Sequence, residues 1–220
     1  MGSSPSYLDP VIIPLIMGSH ILDVGCGFGR WGCLCVANCW ETPGYKEKAK
    51  KPEIVGCDGH FPNVVMARQS GFYKEVHHIL FPPLPFEDDC FDTVLLIDVI
   101  EHLELSQGKA LIEAAKRVTA DRLILSTPNF PSFREGHSTI SGWNKYEAHC
   151  SYWPRSLLRS LGFRLYGAGW SPGGRYWSWL LRKLRLTHFY DSVARLSLMS
   201  LSRYMPFFSE TVVGLWEKKD

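Results

Sequence analysis

Apolar residues in this chain fall into short continuous runs, and the polar stretches between them carry helical spacing. Ile21, Leu22 and Val24, interrupted only by Asp23, lead into Gly25-Cys26-Gly27-Phe28-Gly29. That pattern predicts a buried strand ending in a glycine turn, with a helix over 31–40 after it. Further strands are expected over 53–58, weakly over 73–80, and over 91–97 and 122–126. Helices are expected over 62–70, with Pro62 in the first turn, over 110–118, and over 153–161, with Gly162 as the stop. Two late strands follow, over 163–166 and 211–216. The stretch 41–52 is polar and holds Pro43, Gly44 and several lysines, which reads as an exposed loop.

Strands alternating with helices predict an α/β fold: a doubly wound, mostly parallel seven-stranded sheet covered on both faces. The late strands come after the alternation and are expected to form an antiparallel edge. The core is assigned to 1–174 and the final strand to 209–220. Between them, 175–208 reads as a helical, basic and aromatic cap. Tyr176, Trp177, Leu180, Leu181 and Leu184 share one helical face, and Arg175, Ser178, Arg182 and Arg185 the other. From Arg175 to Arg203 there are six basic residues against the single acid Asp191. An ordinary cap packed on the core and a peripheral contact with anionic lipid both fit this pattern.

The chain has 220 residues, 45% apolar, with net charge +2. This suits one domain with an insertion, and a charge this small gives no argument for nucleic acid. Seven cysteines, an odd number with no disulfide-dense spacing, point to a reducing setting, so a cytoplasmic, candidate membrane-peripheral location is expected. Cys33, Cys35 and Cys39 lack a CxxC pair and read as small apolar residues. No apolar run approaches the ~18–20 residues that span a bilayer. The opening Met1–Ser6 fits a loose myristoylation pattern and equally a tag remnant, so no function is read from it.

The glycine turn points to a nucleotide-like ligand, because glycine lets backbone approach closely and a helix N-terminus follows. Gly27-Phe28-Gly29-Arg30-Trp31-Gly32 satisfies the dinucleotide pattern GxGxxG, which alone is a weak signal. Other features lead elsewhere. Asp23 precedes the glycines, Asp58 closes the second strand, and Leu84-Pro85-Phe86 precedes Phe91-Asp92. Asp98-Val99-Ile100-Glu101-His102-Leu103 follows the fourth strand, and Thr127-Pro128-Asn129 the fifth. His149 comes ahead of Trp153 and Leu161-Gly162-Phe163. In this order the residues resemble class I S-adenosylmethionine-dependent methyltransferases, of the type 11 or type 23 kind, over 20–170 and the last strand. The resemblance implies a Rossmann-like fold and S-adenosyl-L-methionine as cofactor. A nicotinamide-dinucleotide oxidoreductase and an inactive binding module of the same fold are the alternatives.

The resemblance implies cofactor contacts at Asp23, Gly25, Cys26, Gly27, Gly29, Asp58, Gly59, Phe81 and Asp98. Asp23 would hold the methionine amino end, or cap local N–H groups. Asp58 would accept both ribose hydroxyls. Relatives often carry an acid four residues before Leu-Pro-Phe, where Leu80 stands here; backbone near Phe81 is the substitute.

Asp98, Glu101, His102 and His149 are the candidate catalytic residues. Spacings of three and four place the first three on one helical face. Asp98 and Glu101 also match a capping box, whereas His102 has a near-neutral pKa suited to a base. Some small-molecule O-methyltransferases with this run bind a divalent metal there; no metal ligand is assigned from the sequence. His137 is a secondary candidate, and Trp143, Tyr146, Tyr152 and Trp153 would build an acceptor pocket or pack beneath the cap. With no base- or glutamine-N-methyltransferase signature and no basic tail, a small-molecule, lipid or glycan-linked acceptor methylated at oxygen is expected rather than nucleic acid.

Overall fold

The computed structural model describes residues 4–41, 51–169, 183 and 202–219. Most of the expected loop 41–52 and most of the expected cap 175–208 lie outside the described residues.

Seven strands form one sheet: β1 (His20–Val24), β2 (Glu53–Asp58), β3 (Glu75–His78), β4 (Phe91–Ile97), β5 (Thr119–Pro128), β8 (Arg164–Ala168) and β9 (Thr211–Glu217). Their order is β3-β2-β1-β4-β5-β9-β8. The first five pair in parallel; β9 runs antiparallel to both β5 and β8. The late strands thus form the antiparallel edge pair, with β9 inside and β8 outermost. A separate hairpin joins β6 (His137–Thr139) and β7 (Gly142–Asn144).

The central strands are apolar at successive positions because both their faces are buried. Val94 and Leu96 of β4 pack on one side, with Leu111, Ile112 and Ala115 of α4 (Leu105–Val118) and Leu158 of α5 (Arg155–Ser160). Leu95 and Ile97 pack on the other, with Trp31 and Cys35 of α2 (Arg30–Glu41). Leu96 is fully buried, so Leu96→Ala is expected to cost about 2–5 kcal/mol of stability. Val64 and Ala67 of α3 (Phe61–Gln69) form a smaller cluster with Cys26 and Val76.

The sequence reading missed two elements. One is an N-terminal helical segment: a 3-10 turn (Ser6–Leu8), α1 (Asp9–Ile12) and another 3-10 turn (Ile13–Leu15). It buries Leu8, Val11, Ile12 and Leu15 against the second face. The β6–β7 hairpin is the other. Asn129 of the Thr127-Pro128-Asn129 signature is structural: its amide donates to the Pro206 and Ser209 carbonyls at 2.9 and 2.8 Å, tying the end of β5 to the segment before β9. Among the described residues, no helix is long and apolar enough to cross a membrane.

Candidate active site

β1 separates β2 from β4, so the chain crosses over there and leaves a crevice beyond the strands' carboxyl ends. A cavity of about 800 Å³ opens at that place. Gly25, Cys26, Gly27, Phe28, Asp58, Gly59, Leu80 and Phe81 line it, and so do Asp98, Glu101, His102, Arg134, Tyr146 and His149.

The glycine turn is fixed to the end of β2, since the Cys57 carbonyl accepts from Gly25 and Cys26 N–H at 2.7 and 3.0 Å. Gly27 has a φ of 57°, which suits glycine, and a Cβ there would meet nothing within 4 Å. That empty space is a cradle for a ligand to lie against the turn. The Asp58 carboxylate stands beside it. Its Oδ1 accepts from His60 N–H at 2.7 Å, and its Oδ2 from Gly27 N–H at 2.9 Å and the Asn63 amide at 3.3 Å. Burial pushes its pKa up, and these donors oppose the rise. The expected cofactor residues Gly25, Cys26, Gly27, Asp58, Gly59, Phe81 and Asp98 all line the cavity, as does Leu80, 58% exposed.

Asp23 and Gly29 are not among the residues that line the cavity. Asp23 is 1% exposed, and its Oδ2 accepts from the Tyr73 hydroxyl at 2.6 Å. That hydroxyl in turn accepts from Gly32 N–H at 3.0 Å. A Cβ on Gly32 would lie 2.5 Å from the Tyr73 ring. The third glycine of GxGxxG therefore admits a tyrosine behind the turn. Burial, more than the Asp58 charge, lifts Asp23 to a pKa of about 7 against the Tyr73 hydrogen bond.

Asp98 does not cap a helix. It sits at φ 55°, ahead of a three-residue 3-10 turn (Ile100–His102) that has no side-chain cap. Its carboxyl accepts from the Ser126 hydroxyl at 2.5 Å and pairs with Ser4. The short turn replaces the expected helical face, yet Glu101 and His102 both reach the cavity. His149 joins them through the backbone: Cys150 and Ser151 N–H donate to the Glu101 carbonyl at 2.8 and 3.1 Å. The ligand atoms of Glu101, His102 and His149 lie within 4.8 Å of one another.

Three features of this cluster fit a cation. Glu101 Oε2 is buried without a hydrogen-bond partner, and so is His149 Nδ1. His102 Nδ1 lies 3.0 Å from the Ala148 carbonyl, which fixes its proton there and leaves Nε2 a lone pair. Burial lowers the pKa of both histidines, His149 to about 4, so both are neutral near pH 7. Burial first, then the Asp98 charge, raises Glu101.

Of the secondary candidates, His137 and Tyr146 line the cavity, while Trp143 is 65% exposed. The Tyr152 hydroxyl donates to the Asn129 carbonyl, and Trp153 is buried beside Gly108 of α4. Ser4, Pro5 and Tyr7 also line the cavity, so part of the opening segment set aside in the sequence belongs to the site.

A family model described as a methyltransferase domain matches residues 13–167. The chain is 34% identical over 92 residues to the probable tRNA methyltransferase 9B of Homo sapiens, covering 42% of this chain and 17% of that protein. The chain thus spans about one sixth of that relative's length. A SAM-dependent methyltransferase from Archaeoglobus fulgidus has a similar structure (TM-score 0.56, 17% identity, 95% of this chain and 90% of that one). So does magnesium protoporphyrin IX methyltransferase from Synechocystis with bound SAH (TM-score 0.50, 15% identity, 97% and 80%).

Proposed function

Given that the chain belongs to the methyltransferase domain family, with S-adenosyl-L-methionine as methyl donor, we propose that it methylates an oxygen of a small-molecule, lipid-linked or glycan-linked acceptor. The observation that carries this reading is one cavity lined both by the glycine turn and Asp58 and by Glu101, His102 and His149. The family match removes the support for a nicotinamide dinucleotide.

Bound S-adenosylmethionine supplies an activated methyl group on a sulfonium, so positioning supplies much of the catalysis. Asp58 would take the ribose diol through its remaining lone pairs, and Gly27 would leave room for it. A hydroxyl acceptor must lose its proton. We assign that task to the Glu101, His102 and His149 cluster, which would hold a divalent cation through one carboxylate oxygen and two imidazole nitrogens. Such a cation would polarise the acceptor oxygen and lower its pKa, so that the hydroxyl could give its proton to water as the methyl group is transferred. Full activity after chelation would return the proton-accepting role to His102 alone. Asp98 would lie at the methionine end, opposite the acceptor.

The test is transfer of radiolabelled methyl from S-adenosylmethionine into fractionated extract, with mass spectrometry locating the methyl group. Label on oxygen of a small or lipid-linked product supports the proposal; label on nitrogen sinks it. S-adenosylhomocysteine binding with no label in any fraction would make the chain a binding module. An RNA acceptor is the second reading, favoured by the 34% identity to the probable tRNA methyltransferase; total RNA in the same assay decides it. Contact of 175–203 with anionic lipid belongs to the first reading. Liposome sedimentation of wild type against a Trp177→Ser, Leu181→Ser double variant tests it, and equal pelleting would remove it.

A further inference from the structure

Arg30 opens α2 directly after the glycine turn and lines the cavity with Gly25, Gly27 and Asp98. Its guanidinium is only partly used. Nη2 donates to both Asp9 carboxylate oxygens, at 2.7 and 2.8 Å, and the group lies 5.0 Å over the Trp31 ring. Nη1 is buried with no hydrogen-bond partner. A buried charged donor without an acceptor is costly, so a ligand that supplies one is strongly favoured.

Two cationic side chains line the cavity among the described residues, Arg30 and Arg134. Arg134 stands on the acceptor side, bridged through backbone to His149 and 3.9 Å from Glu147. Arg30 stands at the glycine turn, close enough to Asp98 for its charge to oppose the rise that burial gives that carboxyl's pKa. The donor's amino-acid end is a zwitterion, so it needs an anion for the ammonium and a cation for the carboxylate. Asp98 and Arg30 offer this pair at one end of the cavity.

We propose that Arg30 binds the α-carboxylate of S-adenosylmethionine through Nη1, with Asp9 holding the guanidinium in place from the opposite side. The proposal rests on S-adenosylmethionine being the donor. It makes the N-terminal segment a positioning element of the cofactor site, since Asp9 belongs to α1.

The test is calorimetry with S-adenosylmethionine and with its decarboxylated form, which lacks only the carboxylate. Wild type should bind the complete cofactor about tenfold or more tightly than the decarboxylated one. Arg30→Gln should bind the two with nearly equal affinity, and its affinity for the decarboxylated form should stay within about twofold of wild type. Arg30→Met, which keeps packing against Trp31, is read the same way if Arg30→Gln fails to fold. Asp9→Asn keeps the charge on Arg30 and should retain most of the discrimination. Wild type that does not distinguish the two ligands would overturn the proposal, with or without a folded variant. So would an Arg30 variant that weakens both ligands equally, because that marks a structural role. Binding of neither ligand to wild type would instead refute the cofactor assignment.

Discussion

The Ser141 hydroxyl donates to the Asn63 side-chain carbonyl at 2.6 Å, across 78 residues of sequence. The same Asn63 amide donates to Asp58 Oδ2 at 3.3 Å. The turn of the β6–β7 hairpin, which lies beside the acceptor side, is thereby tied to the carboxylate assigned to the ribose. Asn63→Ala should weaken S-adenosylhomocysteine binding about tenfold, the size of one hydrogen bond to a charged group. Ser141→Ala should change that affinity about threefold at most, yet speed amide hydrogen exchange across 137–144. Unchanged exchange in Ser141→Ala would mean that the link does not hold the hairpin.

Asp58→Ala removes both acceptors proposed for the ribose hydroxyls. Two charge-assisted hydrogen bonds contribute about 1.5–3 kcal/mol each, so the dissociation constant for S-adenosylhomocysteine should rise roughly 100-fold or more. Calorimetry reads this directly, and an unchanged constant would take Asp58 out of the ribose site.

Asp23 gives a pH dependence with a definite sign. Burial raises its folded pKa to about 7 from the ordinary aspartate value of 3.8. Between those values the folded chain holds a proton there that the unfolded chain has lost. Stability from this group is therefore complete below pH 4 and declines as pH rises towards 7. Asp23→Asn keeps an oxygen for the Tyr73 hydroxyl and carries no charge to bury. Urea unfolding of both proteins should show the variant gaining on wild type between pH 5 and pH 8, by on the order of a few kcal/mol. Parallel pH profiles would show that Asp23 does not titrate in this range.

The cation site predicts that extensive chelation lowers methyl transfer and that added Mn2+ restores it. Glu101→Gln should need about tenfold or more Mn2+ to reach the same rise in melting temperature, because the neutral amide is a poorer cation ligand. A wild-type melting temperature indifferent to every divalent ion tested would count against the site.

Much of the sheet was legible because its strands are buried runs. Phe91–Ile97 and Glu53–Asp58 have the bounds that the apolar pattern predicts. The first helical segment was not, since Pro5, Pro10 and Pro14 interrupt its spacing and its apolar face shows only against the sheet. The hairpin was hidden by short strands with mostly half-exposed or exposed residues. Glycine spacing located a turn that lines the cavity, but a strand buried on both faces says nothing about where Asp23 points; its partner Tyr73 comes 50 residues later. His149 was picked out by residue type and by its place in the family resemblance, ahead of Trp153. What brings it to Glu101 is a pair of backbone hydrogen bonds that any side chains would permit. Arg30 stood in the sequence only as one residue of the GxGxxG stretch, because an unused guanidinium nitrogen leaves no trace in a sequence.

The placement of β9 also has a consequence for biosynthesis. A strand encoded near the end of the chain fills a slot in the middle of the sheet, between β5 and β8. Until residues 211–217 have left the ribosome, β5 exposes an open edge and β8 has no ladder to join. The nascent sheet therefore keeps an open edge at β5 from the time that strand pairs with β4 until β9 emerges, and that edge is where a chaperone would act.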